Sequence, residues 1–485
     1  MDILLSHGYF IAEDEHEQKI MKPYPPLGLL YISSYLKTRG FAVDLFDSTF
    51  ENLATFEAYV HQARPGLVGL YCNLMTKQNV LKMIQICRHV GAWVVLGGPE
   101  PPHYAEEYLS HGADIVVVGE GEITLAELIP KLLAGRSQEL EQVAGIVFRD
   151  DSGQIVRTAT RPQIPKLSEQ PWPDRDAIPM DQYLNTWKTH HGYSSISLIT
   201  ARGCPYTCTW CSHSVFGETH RRRTPEDVAD EVAWIAEQYH PDQLWYADDV
   251  FTIQPRWFLQ YAAELKRRQL AIRFECISRA DRLNAEIVAT LAEMGCFRLW
   301  IGAESGSQRI LDRMQRKANI EDVQLKTKML QAKGIQVGMF IMLGYDGEEV
   351  GDIEATIDHL KKSGPDLFLT TVAYPIKGTK YYQAVENEIV THRTWTRRTD
   401  RDLNVKGRYT GRFYNHATRW LVNEVNLHRL RESGSRDYLR MSKMFVNARR
   451  GRLGVRLTQH QREQGGDLDG SGRGWTAQER TADAW

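Results

Sequence analysis

Three cysteines occur close together in the segment Cys204-Pro205-Tyr206-Thr207-Cys208-Thr209-Trp210-Cys211. Three thiolates in one short loop can bind three irons of a 4Fe-4S cluster and leave the fourth iron open to another ligand. A structural zinc ion would need a fourth protein ligand, for which His213 and His220 are nearby candidates. Because the loop directly follows an apolar run that opens a predicted barrel, the sequence favours a cluster over zinc.

This apolar run begins a series of strand and helix patterns. Six strand candidates alternate with helical stretches and predict a partial (β/α)6 barrel of the TIM type over residues 191–385. The strand candidates are 196–200, 243–247, 272–277, 297–302, 337–343 and 367–374. Thr224, Pro225 and Asp227 form a capping pattern that predicts the start of the helix after the first strand. Functional residues are expected at the carboxyl ends of these strands.

Residues 1–140 predict a separate α/β domain that is doubly wound and Rossmann-like. Five apolar runs alternate with helical patterns, and runs without polar alternation are typical of a parallel sheet covered on both faces. These runs are 3–5, 43–46, 67–71, 93–96 and 115–118. Because ligands of such sheets bind beyond the carboxyl ends of the strands, the loops at 97–99 and 119–122 are expected to carry the chemistry.

The other segments show weaker patterns. Five prolines interrupt residues 141–190, which predicts an interdomain linker. Residues 386–460 predict a small helical C-terminal region, and 461–485 predict a disordered tail. Residues 419–462 contain eleven Lys or Arg residues and three acidic residues, which gives the segment a net charge of +8. The simpler interpretation is a solvated helical face, and the sharper one is a patch that meets an anionic substrate or an acidic partner protein.

The overall composition limits the class of protein. The chain has 485 residues, of which 42% are hydrophobic and 25% charged, as in ordinary globular proteins. Its formal net charge of −2 predicts no general attraction to nucleic acid. It contains no apolar run of the roughly 18 residues that a membrane span needs, and its first residues lack the basic region and the long apolar region that a secretory leader is expected to have. Seven cysteines do not suggest a disulfide framework. We expect a cytoplasmic protein with reduced thiols, no membrane span and no nucleic-acid partner.

The Cys-x3-Cys-x2-Cys loop after the first barrel strand resembles that of the radical S-adenosylmethionine (SAM) superfamily. An aromatic residue precedes the third cysteine in that family, as Trp210 does here. The resemblance implies that Cys204, Cys208 and Cys211 bind the cluster at which SAM is cleaved to methionine and a 5′-deoxyadenosyl radical. It also implies SAM contacts from Trp210, Asp248, Asp249, Ser278, Arg279, Glu304, Ser305 and Gly338. The two aspartates depart from the common Gly-Gly-Glu, so either of them could bind the SAM ammonium.

The N-terminal loops resemble the cobalamin-binding domain of cobalamin-dependent radical SAM enzymes. The similar segments are Tyr24-Pro25-Pro26-Leu27-Gly28, Leu96-Gly97-Gly98-Pro99 and Val118-Gly119-Glu120-Gly121-Glu122. Small residues there let the backbone approach a ligand closely. The resemblance implies cobalamin contacts from Pro26, Asn73, Leu74, Met75, Gly97, Gly98, Pro99, Gly119, Glu120, Gly121 and Glu122.

Two further motifs leave alternatives open. Many cobalamin domains supply a histidine to cobalt through Asp-x-His-x-x-Gly, whereas this chain has Asp14-Glu15-His16-Glu17-Gln18-Lys19. We therefore expect no histidine on cobalt, with Asn73, Leu74 or Met75 facing the lower side of the metal. The segment His220-Arg221-Arg222-Arg223 is either a solvated turn or a contact to a substrate carboxylate or phosphate.

These resemblances imply an anaerobic enzyme that transfers a methyl group from methylcobalamin to an unactivated carbon of a small molecule. A flavodoxin or ferredoxin type of protein is the implied external electron donor. A second hypothesis is an oxidative cyclisation or rearrangement, as in the anaerobic magnesium-protoporphyrin ester cyclases. A third is a non-catalytic cobalamin or iron-sulfur sensor, which the set of barrel motifs disfavours. The sequence does not identify the substrate.

Overall fold

Seven strands form the first sheet, in the order β2-β1-β3-β4-β5-β6-β7. The strands are β1 (Ile3–His7), β2 (Val43–Phe46), β3 (Leu67–Tyr71), β4 (Trp93–Gly97), β5 (Ile115–Val117), β6 (Ile146–Arg149) and β7 (Ile155–Arg157). The helices are α1 (Glu15–Ile20), α2 (Leu27–Lys37), α3 (Leu53–Ala63), α4 (Lys77–His89), α5 (Ala105–Ser110), α6 (Gly121–Leu133) and α7 (Met180–His191). Strands β1 to β5 are parallel, which confirms the five predicted strands and the doubly wound class.

The segment predicted as a linker, residues 141–190, contains much regular structure. Strands β6 and β7 extend the first sheet in antiparallel pairing, and α7 follows them. Trp187 of α7 is buried and donates its indole N–H to the carbonyl oxygen of Pro23 at 2.7 Å. Strands of three or four residues are too short to show a periodicity, so only the pairing of β6 with β5 and of β7 with β6 reveals them.

Six strands form a second sheet in the order β8-β11-β12-β13-β14-β15, as the six predicted strands require. Its strands and two short flanking strands are β8 (Ser195–Leu198), β9 (Ala201–Arg202), β10 (Arg221–Arg222), β11 (Gln243–Tyr246), β12 (Phe274–Ser278), β13 (Cys296–Glu304), β14 (Gln336–Leu343) and β15 (Leu367–Val372). The pairs β8–β11, β12–β13, β13–β14 and β14–β15 are parallel.

Helices follow the strands of this sheet in the alternating order that the sequence predicts. They are α8 (Pro225–Tyr239), α9 (Pro255–Arg267), α10 (Ala285–Glu293), α11 (Gln308–Arg313), α12 (Ile320–Gln331) and α13 (Val350–Ser363). The predicted start of α8 is confirmed, since Thr224 accepts a hydrogen bond from the backbone N–H of Asp227.

A mostly helical region completes the chain. It consists of α14 (Lys380–Val385), β16 (Ile389–Val390), β17 (Asn404–Val405), α15 (Gly411–Glu432) and α16 (Tyr438–Thr458). This computed structural model describes residues 1–464. The predicted disordered tail at 461–485 therefore lies outside the described residues, except for its first four residues. Within that described range, no helix is long and apolar enough to cross a membrane.

The chain divides into two units that are compact in themselves. The first comprises Met1–Pro205 and Ser212–Ala247, and the second comprises Tyr206–Cys211 and the chain from Asp248 onward. This division falls within the second alternating series rather than before it. The domain boundaries of the sequence analysis stay a prediction.

Within the first unit, Glu231 of α8 is the centre of a buried ionic cluster. Its carboxylate lies 2.7 Å from the Arg175 guanidinium and also accepts a hydrogen bond from Arg223. The Glu231 and Arg175 side chains are both 0% exposed. A charge removed from water is tolerated only when it is paired, so each of these groups depends on the others.

We expect Glu231→Ala to lower the free energy of unfolding by about 3–5 kcal/mol, because it leaves the buried Arg175 guanidinium without its carboxylate and removes one of the two carboxylates that pair with Arg223. Glu237→Ala removes an exposed carboxylate from the same helix and should change stability by no more than about 0.5 kcal/mol. Denaturant unfolding of both variants checks the prediction. Equal stability of the two variants would show that the cluster does not hold the first unit together.

Candidate active site

The cysteine loop is anchored on the second unit through the residue after Cys208. The Thr209 backbone N–H donates to the Met314 carbonyl at 3.0 Å, and the Thr209 carbonyl accepts from the Tyr381 N–H at 2.8 Å. The Thr209 hydroxyl also bonds with that of Tyr345. These contacts fix the backbone between the second and third cysteines without using a side chain that could bind metal.

None of the seven cysteines, which all lie within the described residues, forms a disulfide, and Cys208 is the most buried of the predicted cluster ligands. Cys204 and Cys211 are half-buried. Within residues 1–464, no three His, Cys, Asp or Glu side chains converge as a metal site. The three cysteines are therefore still a predicted ligand set and not an assembled one.

Arg316 is a functional candidate that the sequence analysis missed. Its Nη1 lies 3.9 Å from the Cys208 sulfur, and its Nη2 donates to the Gly302 carbonyl at 2.9 Å. Its Nε lies 3.8 Å from the Glu304 carboxylate. A cation that donates to a cluster ligand stabilises added negative charge and so fits an iron-sulfur site. The sequence gave no sign that Arg316 is functional, because an Arg-Lys pair after a helix is common at protein surfaces.

Arg279 is buried at the end of β12, where the resemblance implies a SAM carboxylate contact. Its Nη2 donates to the carbonyls of Arg316 and Lys317, and its Nε lies 2.8 Å from the Asp281 carboxylate. The guanidinium stacks 3.7 Å from the Tyr206 ring centroid. Its Nη1 is buried and has no hydrogen-bond partner among the described residues. An unsatisfied buried guanidinium N–H fits a carboxylate ligand.

Glu304 ends β13 in an unusual environment for a carboxylate. It is 5% exposed, and its backbone φ of +61° lies in the left-handed region, where the pairing with β14 also shifts register. Burial raises the pKa of this carboxyl to about 7, although Arg316 and Arg279 oppose the shift. Such strain and such pKa values are concentrated at functional sites, which supports the implied contact to the SAM ribose.

The remaining implied SAM residues differ in what surrounds them. Asp248 is buried and Asp249 is exposed, so the two aspartates are no longer equivalent. Trp210 carries a buried indole N–H that has no partner within the described range. By contrast, the Ser278 hydroxyl already bonds with that of Thr252 at 2.6 Å.

Two further positions also have structural partners. The Ser305 hydroxyl bonds with that of Thr356 at 3.3 Å. A side chain at Gly338 would collide with the Trp300 ring, so packing explains this glycine without a ligand.

In the first unit, the implied cobalamin loops follow β3, β4 and β5 at one edge of the parallel sheet. Gly98 has a φ of +107°, and a Cβ there would collide with the carbonyl oxygen of Cys72. A Cβ on Gly97 would meet nothing within 4 Å, which leaves room for a ligand. The Asn73 side chain caps its own loop by accepting from the N–H groups of Met75 and Thr76. The Met75 side chain is 49% exposed.

Three further implied cobalamin residues lie next to strands and helices of the first unit. Pro26 precedes α2, Leu74 lies in the loop after β3, and Pro99 follows the two glycines after β4. All three are half-buried. Their contacts to cobalamin stay a prediction.

The glutamates of the loop after β5 have protein partners instead of open space. Glu120 lies 2.6 Å from Arg202 and 2.7 Å from Arg221, and Glu122 lies 2.7 Å from Arg202. These carboxylates are at most 6% exposed. They hold the loop in place. Gly119 is left as a position where the backbone of this loop could approach a ligand, whereas a Cβ on Gly121 would lie 2.9 Å from the Ile32 side chain.

The basic segment after the cysteine loop is neither a solvated turn nor visibly a substrate contact. Arg221 pairs with Glu120, and Arg223 pairs with Asp227 at 2.7 Å. Arg222 belongs to the short strand β10. The buried carboxylates explain why this segment is basic.

The histidines named as metal candidates lie in different surroundings. Asp14 caps α1, and the His16 side chain beside it is 42% exposed. His220 bonds with the Gly203 carbonyl at 3.2 Å. His213 lines a cavity of about 210 Å³ together with Gly119 and Glu120, and its Nε2 has no hydrogen-bond partner in the described chain.

Two segments of the chain match known protein families. Residues 198–360 match the Radical SAM superfamily, and residues 18–129 match the B12 binding domain. The first segment contains the three clustered cysteines, and the second contains every implied cobalamin position. The two families therefore occur in one chain, in the order that the sequence analysis predicts.

Individual proteins are similar over most of the chain. A protein of Pyrococcus horikoshii named as an uncharacterized methyltransferase is 29% identical over 396 residues, 79% of this chain and 83% of that protein. The anaerobic magnesium-protoporphyrin IX monomethyl ester cyclase of Rubrivivax gelatinosus is 24% identical over 374 residues, 74% of this chain and 66% of the cyclase.

A solved structure is similar over the same extent. The radical S-adenosylmethionine methyltransferase TsrM of Kitasatospora setae, solved with cobalamin and a 4Fe-4S cluster bound, gives a TM-score of 0.67 at 20% identity. The match covers 79% of this chain and 78% of TsrM. At this identity, the likeness shows a common fold.

Substitutions of the two adjacent glycines at the end of β4, Gly97 and Gly98, test cofactor binding and folding separately. We expect Gly98→Ala to lower the free energy of unfolding by about 1–3 kcal/mol, because the backbone is strained and the Cys72 carbonyl blocks a Cβ. Gly97→Ala should leave stability within about 1 kcal/mol and still reduce bound cobalamin, because only a ligand would meet its Cβ. Unfolding and cobalamin content of both variants check this. Full cobalamin content in Gly97→Ala would contradict the contact.

The pKa of Glu304 predicts how SAM binding depends on pH. With a pKa of about 7, the carboxyl ionises between pH 6 and 8, and the ionised form accepts a ribose hydroxyl more strongly. The affinity of the wild type for SAM should therefore increase as the pH rises, whereas that of Glu304→Gln should not show this increase. At pH 8 the variant should bind SAM about tenfold more weakly than the wild type. Calorimetry at several pH values measures this, with the exposed Glu286→Gln as the control. Parallel pH profiles would exclude the contact.

Proposed function

The chain belongs to the cobalamin-dependent radical SAM enzymes, and from this premise we propose that it methylates an unactivated carbon of a small molecule. Its cofactors are a 4Fe-4S cluster, SAM and cobalamin. The observation that carries the proposal is the presence of both family domains in one chain together with a methyltransferase-like relative over 79% of its length.

When bound, the cluster supplies the electron that cleaves SAM, and methylcobalamin supplies the methyl group. Within the protein, Cys204, Cys208 and Cys211 hold the cluster, and Arg316 donates to the Cys208 sulfur. The free Nη1 of Arg279 binds the SAM carboxylate, and Glu304 accepts a hydrogen bond from the ribose. These contacts orient SAM and keep water away from a reactive radical.

The electron donor that we propose is a reduced flavodoxin or ferredoxin, because SAM cleavage needs an electron of low potential. The cytoplasm is the matching compartment. No disulfide links the seven cysteines within the described residues, as is typical of proteins in a reducing environment.

A second candidate function is radical oxidative cyclisation. The specific observation in its favour is the similarity to the magnesium-protoporphyrin ester cyclase over 74% of the chain. Such a reaction uses SAM only as an oxidant and transfers no methyl group. The two candidates therefore differ in the fate of SAM.

SAM products distinguish the candidates before any substrate is known. The protein is reconstituted anaerobically with cluster and cobalamin, then reduced and given SAM carrying a deuterium-labelled methyl group. Methyl transfer requires both 5′-deoxyadenosine and S-adenosylhomocysteine, because one SAM is cleaved and a second donates its methyl group. A small-molecule extract should then yield a product heavier by one labelled methyl group in place of hydrogen.

The Cys204→Ala/Cys208→Ala/Cys211→Ala variant is the matched control. It should lose the 4Fe-4S spectrum and the 5′-deoxyadenosine, and it should keep about one cobalamin per chain. 5′-Deoxyadenosine without S-adenosylhomocysteine would favour cyclisation. Cobalamin binding without any SAM cleavage would indicate a sensor and would overturn the proposal.

A further inference from the structure

Helix α16 reverses the usual placement of large and small side chains. The residues that it buries are mainly small: Ala448, Gly451, Gly454, Val455 and Thr458. A Cβ on Gly451 would lie 2.6 Å from the Trp420 backbone nitrogen of α15, and one on Gly454 would collide with the His416 ring. The contact with α15 thus requires glycine at these two positions, and Val455 is the one large apolar side chain of α16 that is fully buried in the described chain.

Most of the large apolar side chains of α16 are exposed instead. Of the twelve exposed large hydrophobic residues in the described chain, six lie on α16. They are Tyr438, Leu439, Phe445, Val446, Leu453 and Leu457, with exposures from 43% to 87%. Single exposed apolar residues need no explanation, but a concentration on one helix indicates an interaction surface. Folding does not account for them, since α16 packs through its opposite side.

Helical periodicity arranges four of them in one stripe. Leu439, Val446 and Leu453 are seven residues apart, which is close to two turns, and Leu457 follows Leu453 by one more turn. We call these four residues the apolar stripe. At 1.5 Å per residue, the stripe extends along the helix for roughly 27 Å.

Cations lie on both sides of the apolar stripe. By the same periodicity, Arg449 and Arg456 fall on one side, and Lys443 and Arg450 fall on the other. Helix α16 contains six Lys or Arg residues and no Asp or Glu. These four cations are exposed, and none of them pairs with a carboxylate within residues 1–464. Only Arg452 does so, with Glu354 at 3.4 Å.

The charge decides among the possible occupants of this face. A second copy of the chain would bring two all-positive helices together, which like-charge repulsion opposes. A helix seated in a protein groove buries its apolar stripe, and cations beside that stripe would then need an acidic rim on the partner. Here the cations border the stripe on both sides, so their long stems can reach outward to phosphates while the leucines enter apolar material.

We propose that the outward face of α16 binds the surface of an anionic membrane. The apolar stripe enters the boundary between headgroups and acyl chains, and Lys443, Arg449, Arg450 and Arg456 meet the lipid phosphates. The helix lies on the membrane and does not cross it. This proposal is independent of the methylation reaction, because it concerns neither a cofactor nor a substrate.

Vesicle flotation of the full chain tests the proposal without turnover. The probes are vesicles of phosphatidylcholine alone and vesicles that also contain phosphatidylglycerol. We expect binding to the anionic vesicles only, weakened by salt. Lys443→Gln/Arg449→Gln/Arg450→Gln should reduce the partition coefficient on the order of a hundredfold. Leu439→Ser/Leu453→Ser/Leu457→Ser should reduce it on the order of tenfold or more.

The matched control is Leu325→Ser/Lys333→Gln, which removes an exposed leucine and an exposed lysine elsewhere in the same unit. It should bind like the wild type, and circular dichroism should show all variants folded. The proposal is overturned if anionic vesicles are not bound, or if the control weakens binding as much as the α16 variants.

Two other outcomes would assign the face to a different occupant. Light scattering that shows a dimer dissociated by the leucine variant would identify a second copy of the chain. Equal binding of polyglutamate and vesicles, lost in the charge variant and retained in the leucine variant, would identify an acidic protein partner. Either result would overturn the membrane proposal.

Discussion

Buried charge must be paired, and this constraint organises the first unit of the protein. Arg175, Arg202 and Arg223 are almost fully removed from water, as are their partners Glu120, Glu122 and Glu231. Each pairing spans a long stretch of sequence or joins one element to another, so it forms only when the surrounding chain is in place. The loop after β5 is one result, since two ion pairs with Arg202 hold it at the edge of the sheet. That edge is where the cobalamin contacts are proposed.

In the second unit, backbone carbonyls rather than carboxylates hold the buried arginines around the candidate site. Arg279 and Arg316 are each held by backbone carbonyls, which fixes their guanidinium groups while leaving donors unsatisfied. Glu304 is kept in a left-handed conformation and is buried enough that its pKa moves to about 7. Such groups are costly in an isolated fold, and a bound ligand that completes their hydrogen bonds would offset the cost. These groups match the charges of SAM, which is why the proposed function assigns them to it.

Helix α16 shows how exposed residues can carry information that core residues do not. Its contact with α15 is made by glycines and other small side chains, so its leucines have no role in folding that the structure reveals. The sequence analysis recognised the basic charge of this region but left its meaning open. The arrangement of cations beside an apolar stripe became visible only once the buried side of the helix was known.

The sequence by itself determined the features that depend on local pattern. The spacing of Cys204, Cys208 and Cys211, the alternation of strands and helices, and the cap at Thr224 are all read within short windows, because each depends on neighbouring residues. Tertiary structure alone decided which residues meet across long distances in the chain. In the folded chain, Arg316 lies beside Cys208, Glu120 pairs with Arg202 and Arg221, Gly338 packs against the Trp300 ring, and β6 and β7 extend the first sheet. No local pattern encodes these contacts, because the partner that defines each one lies far away in the sequence and becomes a neighbour only on folding.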